Sequence, residues 1–179
     1  MFKLINTKKM KKLFAFGILL FTCTAGAFAQ VSATASATAT ILTPIAISNT
    51  VDMNFGNLAV NPTPGTCVLA TDNSRTVTGG VTIMAGGTPT AASFNVTGSA
   101  GAIYTITLPA GATTVSNGTQ TMTVNTWVSN PTPTGTLTGG ASTLLVGATL
   151  NVSASQAAGV YNTSNAGGSG EFTVTVNYQ

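Results

Sequence analysis

Apolar and polar residues alternate with a period of two along nearly all of the chain after residue 30, and no other period competes. From Thr143 to Ala154, Leu144, Val146, Ala148, Leu150, Val152 and Ala154 fall on one side. Thr143, Leu145, Gly147, Thr149, Asn151 and Ser153 fall on the other. Successive side chains of a strand point to opposite faces, so such a run buries one face as a β-strand and offers no stripe to a helix. Ala92, Phe94 and Val96 alternate in the same way with Ser93, Asn95 and Thr97, and Tyr104, Ile106 and Leu108 with Thr105 and Thr107. At the end of the chain Phe172, Val174, Val176 and Tyr178 alternate with Glu171, Thr173, Thr175 and Asn177.

Turn formers separate these runs: Asn61-Pro-Thr-Pro-Gly65, Gly79-Gly80, Gly86-Gly87, Asn130-Pro131, Gly139-Gly140 and Asn165 to Gly170. Their glycines reach positive φ and their prolines cannot occupy ladder positions. Asn117-Gly118, between Val115 and Met122, reads as a hairpin turn of the primed type. Short strands with one apolar face each predict an all-β chain, a single antiparallel β-sandwich that is immunoglobulin-like in outline. A β-barrel is the alternative, because a period of two does not distinguish a closed sheet from two stacked ones.

Charge divides the chain sharply. Lys3, Lys8, Lys9, Lys11 and Lys12 are five of the six basic residues, and an apolar run from Leu13 to Phe21 follows them. Ala27-Phe28-Ala29 then fits the small-residue pattern of a cleavage site. Residues 1–29 are therefore expected to be a secretory signal peptide, with Gln30 as the new N-terminus and a secreted, periplasmic or cell-surface destination. The apolar run is shorter than the ~20 residues of a membrane-spanning helix. Cys23 gives the alternative of lipid attachment, although Phe21 and Thr22 fit such a site less well than Ala27 to Ala29 fit ordinary cleavage.

Residues 30–179 retain one base, Arg75, against Asp52, Asp72 and Glu171, a net charge of −2. That balance removes the basic patch on which binding to nucleic acid or an anionic membrane depends. The remaining ~150 residues suffice for one domain with a core of its own. Cys67 is then the only cysteine, so it has no partner within the domain and reads as a small buried apolar residue.

The composition argues against an enzyme. The chain has no histidine, and no lysine follows residue 12, so only three carboxylates are available as a base. Asp52 precedes Met53-Asn-Phe55, Asp72 sits in a turn where Arg75 is a candidate partner, and Glu171 opens the last run. Each reads as a solvated acid, and no cluster of His, Cys, Asp or Glu suits a metal. No catalytic, cofactor or metal-binding residue is expected. Trp127, Tyr104 and Tyr161 are candidates to line a sugar-binding face, with core packing as the competing role, and Trp127 is the best candidate surface contact. It falls out of phase with Met122 and Val124, which places it on the outer face or after a bulge.

The N-terminal segment is distinctive. Val31, Ala33, Ala35, Ala37, Ala39 and Ile41 alternate with serine and threonine, and Pro44 ends the run. Residues 30–43 are thus an edge strand of the same sandwich or an arm donated to a neighbour's sheet, where backbone hydrogen bonds supply affinity and alternate side chains fill a groove. Alanines plug such a groove weakly, at about 0.8 kcal/mol per buried carbon.

Several stretches together resemble a known family. They are Ala37-Thr-Ala-Thr-Ile-Leu-Thr-Pro-Ile-Ala-Ile47, Met53-Asn-Phe-Gly-Asn57, Arg75-Thr-Val-Thr-Gly-Gly-Val81, Ser93-Phe-Asn-Val-Thr-Gly98, Tyr104-Thr-Ile-Thr-Leu-Pro109 and Phe172 to Tyr178. In that order they resemble the bacterial secreted domain-of-unknown-function family 4402. A looser resemblance is to archaic and alternative chaperone–usher pilins, including the spore-coat-U type, through the alternating arm, Phe55-Gly56 and Tyr178 near the C-terminus. The cysteine pair of the spore-coat-U type is missing here.

The pilin resemblance implies a structural subunit that self-associates or joins a related subunit, with a periplasmic chaperone as a further partner. Val31 to Ile41 would be the donated strand, and Phe172, Val174, Val176 and Tyr178 would flank the acceptor groove. The competing expectation is a self-contained secreted binding module for carbohydrate or a matrix surface.

Overall fold

The computed structural model describes residues 30–179. The chain divides into two compact units, Met1–Thr40 and Ile41–Gln179. Of the first, only residues 30–40 are described; they are exposed and form neither helix nor strand. The expected signal peptide, with Cys23, lies outside the described residues.

The second unit is all-β. Its strands are β1 (Ala46–Val51), β2 (Leu58–Leu69), β3 (Arg75–Ile83), β4 (Ala92–Thr97), β5 (Ile103–Thr107), β6 (Thr113–Ser116), β7 (Thr121–Asn130), β8 (Thr134–Thr136), β9 (Ala141–Val152) and β10 (Thr175–Tyr178). They form a seven-stranded and a three-stranded sheet, the latter in the order β10-β5-β8, and all pairings are antiparallel. Two separate sheets make a sandwich, not a closed barrel.

The long alternating run organises the large sheet. β7 lies along β9 from Leu145 to Asn151. β4 pairs with Ala141 to Val146, and β2 pairs with Ala148 to Val152. Because a strand has only two edges, β4 and β2 share the edge opposite β7, one after the other. Leu144, Val146, Ala148, Leu150 and Val152 are all buried, as the alternation requires.

This arrangement divides the interior in two. One cluster gathers Phe94, Val96, Tyr104, Leu137, Leu144, Val146, Val174 and Val176 between the two sheets. Tyr104 is fully buried, and its hydroxyl donates to Ser142 Oγ at 2.9 Å. Its ring lies so close over Gly135 that a Cβ there would collide with it. The other cluster gathers Cys67, Val81, Val124, Ala148, Leu150 and Val152, with Met53, Phe55, Leu58 and Trp127 packed against it.

Three expectations change in detail. No strand forms over residues 30–43; the first strand begins at Ala46, beyond Pro44. The last strand is confined to Thr175–Tyr178 instead of starting near Phe172. Thr175 pairs with Thr107, so the same register would set Thr173 opposite Pro109, which has no N–H to donate. The β6–β7 hairpin exists, but it turns through four residues. Ser116 pairs with Thr121, and Asn117 N donates to Gln120 O at 3.1 Å. The turn's central residues are Gly118 and Thr119, one position on from Asn117-Gly118, and only Gly118 has positive φ, as the primed type with glycine first requires.

Candidate functional site

The three-stranded sheet is too narrow to cover the seven-stranded one. Over the second cluster it leaves a groove of about 1210 Å³. The inner faces of β6, β7 and β9 line it through Val115, Met122, Val124, Leu150 and Val152, with Phe94 from β4. One wall is the segment from Asp52 to Val60, and the opposite wall is a strap from Gln156 to Ser164. Phe172 and Val174, two of the four residues expected beside a groove, line it at the approach to β10. Val176 is buried in the first cluster and Tyr178 packs against it.

Arg75 shapes the first wall. Its Nη1 donates to Phe55 O at 2.7 Å and to Asn57 O at 3.2 Å, so its charge is absorbed by backbone and not by Asp72. Gly56 between those carbonyls has φ +69°, and a Cβ there would lie 2.7 Å from Nη1. The Phe55-Gly56 pair is thus shaped by a residue twenty positions away, a link that sequence spacing alone did not reveal. Asp72 accepts from Ser74 N and Oγ at 2.9 and 2.6 Å, and these two bonds hold its carboxyl below the usual range.

Asp52 and Glu171 both border the groove, whereas Asp72 lies in the β2–β3 turn away from it. Asp52 Oδ1 accepts from Asn49 Nδ2 at 3.2 Å. Cys67 is fully buried; burial pushes its thiol pKa up, against the opposing pull of the Arg75 charge. Among the described residues no group of three or more His, Cys, Asp or Glu is placed to hold a metal, and no helix is long and apolar enough to cross a membrane.

Trp127 follows a bulge. The β7–β9 register slips between Asn125 and Val128, and Thr126 takes φ +52°. The slip turns the indole inward against Phe172, with ring centroids 4.6 Å apart, and its Nε1 donates to Gly111 O at 3.1 Å. One side still faces a hollow of about 400 Å³ lined by Leu108 to Ala112 and Asn125 to Trp127.

The sheet edges differ in how they are protected. Exposed edges are commonly blunted by bulges, prolines, charges or a covering segment. β1 carries a bulge between Asn49 and Val51, and β3 sits opposite the slip between Val60 and Gly65. β8 has three residues and follows Pro131 and Pro133. β6 is covered by the chain after residue 160, through the Ser116–Asn162 bridge and the bond from Ser169 N to Thr114 O. β10 is also short, at four residues, but has no bulge, no proline and no hydrogen-bonded strand on its outer edge.

Its free edge has a definite polarity. Gln179 N donates to Ile103 O, so Asn177 and Thr175 are the residues that exchange bonds with β5. The backbone N–H and C=O of Val176 and Tyr178 therefore face away from β5. At that end Tyr178 Oη donates to Thr43 O and accepts from Ser99 N, while Thr43 N donates to Ser99 Oγ at 2.7 Å.

These features define an all-β, two-layer antiparallel sandwich with an open groove beside its last strand. The chain matches the family described as a domain of unknown function (DUF4402) over residues 45–178, a span that contains every strand, and it belongs to that family. No match is found among curated proteins or among solved structures.

Proposed function

We propose that this chain is a non-catalytic, secreted bacterial surface protein, a pilin-like subunit that assembles by β-strand addition. The observation that carries this reading is the coincidence of a free last-strand edge with an adjoining groove that has an apolar floor, polar walls and no strand across it. A strand laid along β10 would satisfy the outward backbone groups of Val176 and Tyr178 and place alternate side chains over Val124 and Leu150. Val31 to Ile41 has the required alternation, no charge and no proline.

The tie between Thr43 and Tyr178 favours an arm from a second copy. With Thr43 held there, the chain's own arm would have to run parallel to β10, whereas a neighbour's arm is free to enter antiparallel. Parallel pairing is slightly the less stable of the two. The test compares residues 30–179 with and without residues 30–43 by size exclusion and unheated detergent gel. Ladders that vanish with the arm are expected; a stable monomer with the arm present overturns the reading.

The hollow beside Trp127 supports a second reading, a self-contained module that binds carbohydrate. Binding on a glycan array that Trp127→Phe weakens would favour it, and an array without binding would count against it.

A further inference from the structure

The strap that walls the groove is held to the β6–β7 hairpin by polar contacts on Ser116, Gln120 and Thr121, and its Tyr161 binds a labile dipeptide, Asn117-Gly118. Asn117-Gly118 is the sequence in which a backbone nitrogen attacks a side-chain amide most readily, because no Cβ hinders the glycine. In this fold each atom of that reaction is engaged. Asn117 Oδ1 accepts from Thr119 N and Gln120 N at 2.9 and 2.8 Å. Asn117 Nδ2 donates to Tyr161 Oη at 3.0 Å. The attacking group, Gly118 N–H, donates to Ser116 Oγ at 2.9 Å, and that hydroxyl donates onward to Ala166 O at 2.6 Å. Tyr161 lies in the strap and Ala166 just after it, so the amide nitrogen is held directly, and Gly118 N–H through Ser116, from across the groove wall, while Oδ1 is held within the turn.

We propose that Asn117 is a latent deamidation site kept closed by the strap. When the strap leaves, Asn117 Nδ2 loses Tyr161 and the Ser116 hydroxyl loses Ala166, so the hold on the amide nitrogen is released and that on Gly118 N–H, which runs through Ser116, is loosened. Gly118 N then gives up its proton to hydroxide and bonds to Asn117 Cγ, and the Cγ–Nδ2 bond breaks with loss of ammonia. Water opens the resulting succinimide at either carbonyl, leaving aspartate or iso-aspartate. The iso-aspartyl product adds a methylene to the backbone of a four-residue turn, displaces the oxygen that binds Thr119 and Gln120, and removes the amide donor that binds Tyr161. Modification therefore loosens the strap's seat on the groove, and the chain carries a chemical record of groove opening.

The experiment incubates the full chain at mildly alkaline pH and quantifies ammonia loss and iso-aspartate at residue 117 by peptide mass spectrometry. Wild type, Tyr161→Phe and a linear peptide of residues 113–122 are compared. The folded chain is expected to react at least about tenfold more slowly than the peptide, since reaction is confined to the open fraction. Tyr161→Phe should recover a several-fold part of that difference. Equal rates for chain and peptide, or no change in Tyr161→Phe, would overturn the proposal. Should Tyr161→Phe fail to fold, wild type in urea below its transition serves instead. Deamidation must then rise together with exchange of the Asn162 amide; deamidation that waits for global unfolding overturns it.

Discussion

The two halves of the large sheet present similar inner faces to different surroundings. Leu144 and Val146, in the first half of β9, meet the three-stranded sheet and are fully buried among Tyr104, Leu137 and Val176. Leu150 and Val152, a few residues on in the same strand, meet a groove walled by a loop and a strap. One strand with one alternation thus yields a closed core at one end and a receptive surface at the other. The difference lies in what crosses above: β5, β8 and β10 over the first half, irregular chain over the second.

Tyr104→Ala probes the closed half and should cost the most, about 3–5 kcal/mol in chemical denaturation, because a fully enclosed ring leaves a void that cannot collapse. Supplying an arm peptide of residues 30–43 to the chain lacking them should act on the open half alone. At a hundredfold excess over Kd it adds about 2.7 kcal/mol. Amide exchange should slow at residues 172–176 and stay constant at β4; protection of both halves alike would dissolve the distinction. Leu150→Ala should cost less than Tyr104→Ala, about 2 kcal/mol, since one side already faces the groove. Equal losses would mean that the groove is not open in solution.

Gly56→Ala forces a side chain into the left-handed region against the Arg75 guanidinium, at about 1–2 kcal/mol. Its effect should appear as faster exchange along residues 52–60. Smallest are the pH effects. The folded-state pKa of Asp72 is lowered, so its contribution is present above the ordinary carboxylate pKa and is lost as pH falls through the folded value. Asp72→Asn should flatten that acid slope of the melting temperature. The pKa of Cys67 is raised by burial, so its contribution holds below the ordinary thiol pKa and is lost as pH rises through the folded value. Cys67→Ala should flatten the alkaline slope. Asp72 lies away from the groove, so an unchanged arm-peptide affinity is expected for Asp72→Asn, whereas Cys67 sits beneath the groove beside Leu150.

Much of the fold was legible in the sequence. The alternations of β4, β5 and β9 read directly, because each strand buries one face and nothing else at those positions competes with the period of two. The alternation of Phe172 and Val174 was legible as well, although the ladder stops short of them at Pro109. Trp127 was only half legible. Its phase error signalled a bulge, but which way the indole turned depended on Phe172, forty-five positions on. The Arg75–Gly56 clamp and the Asn117–Tyr161 latch left no periodic trace, since single hydrogen bonds between distant loops impose no spacing on the chain.

The sequence by itself determined that the chain is β-structured, which side chains point inward, where the turns fall and how little charge the folded unit carries. Those properties follow from neighbours one to four positions apart, through the pleat and the turn. Only the tertiary structure decided that β4 and β2 would share one edge of β9, that three strands would cover half of a seven-stranded sheet, and that β10 would end the small sheet with a free edge. Pairing between distant strands settles those outcomes, because a ladder specifies its partner through register and packing and not through any pattern within a single strand.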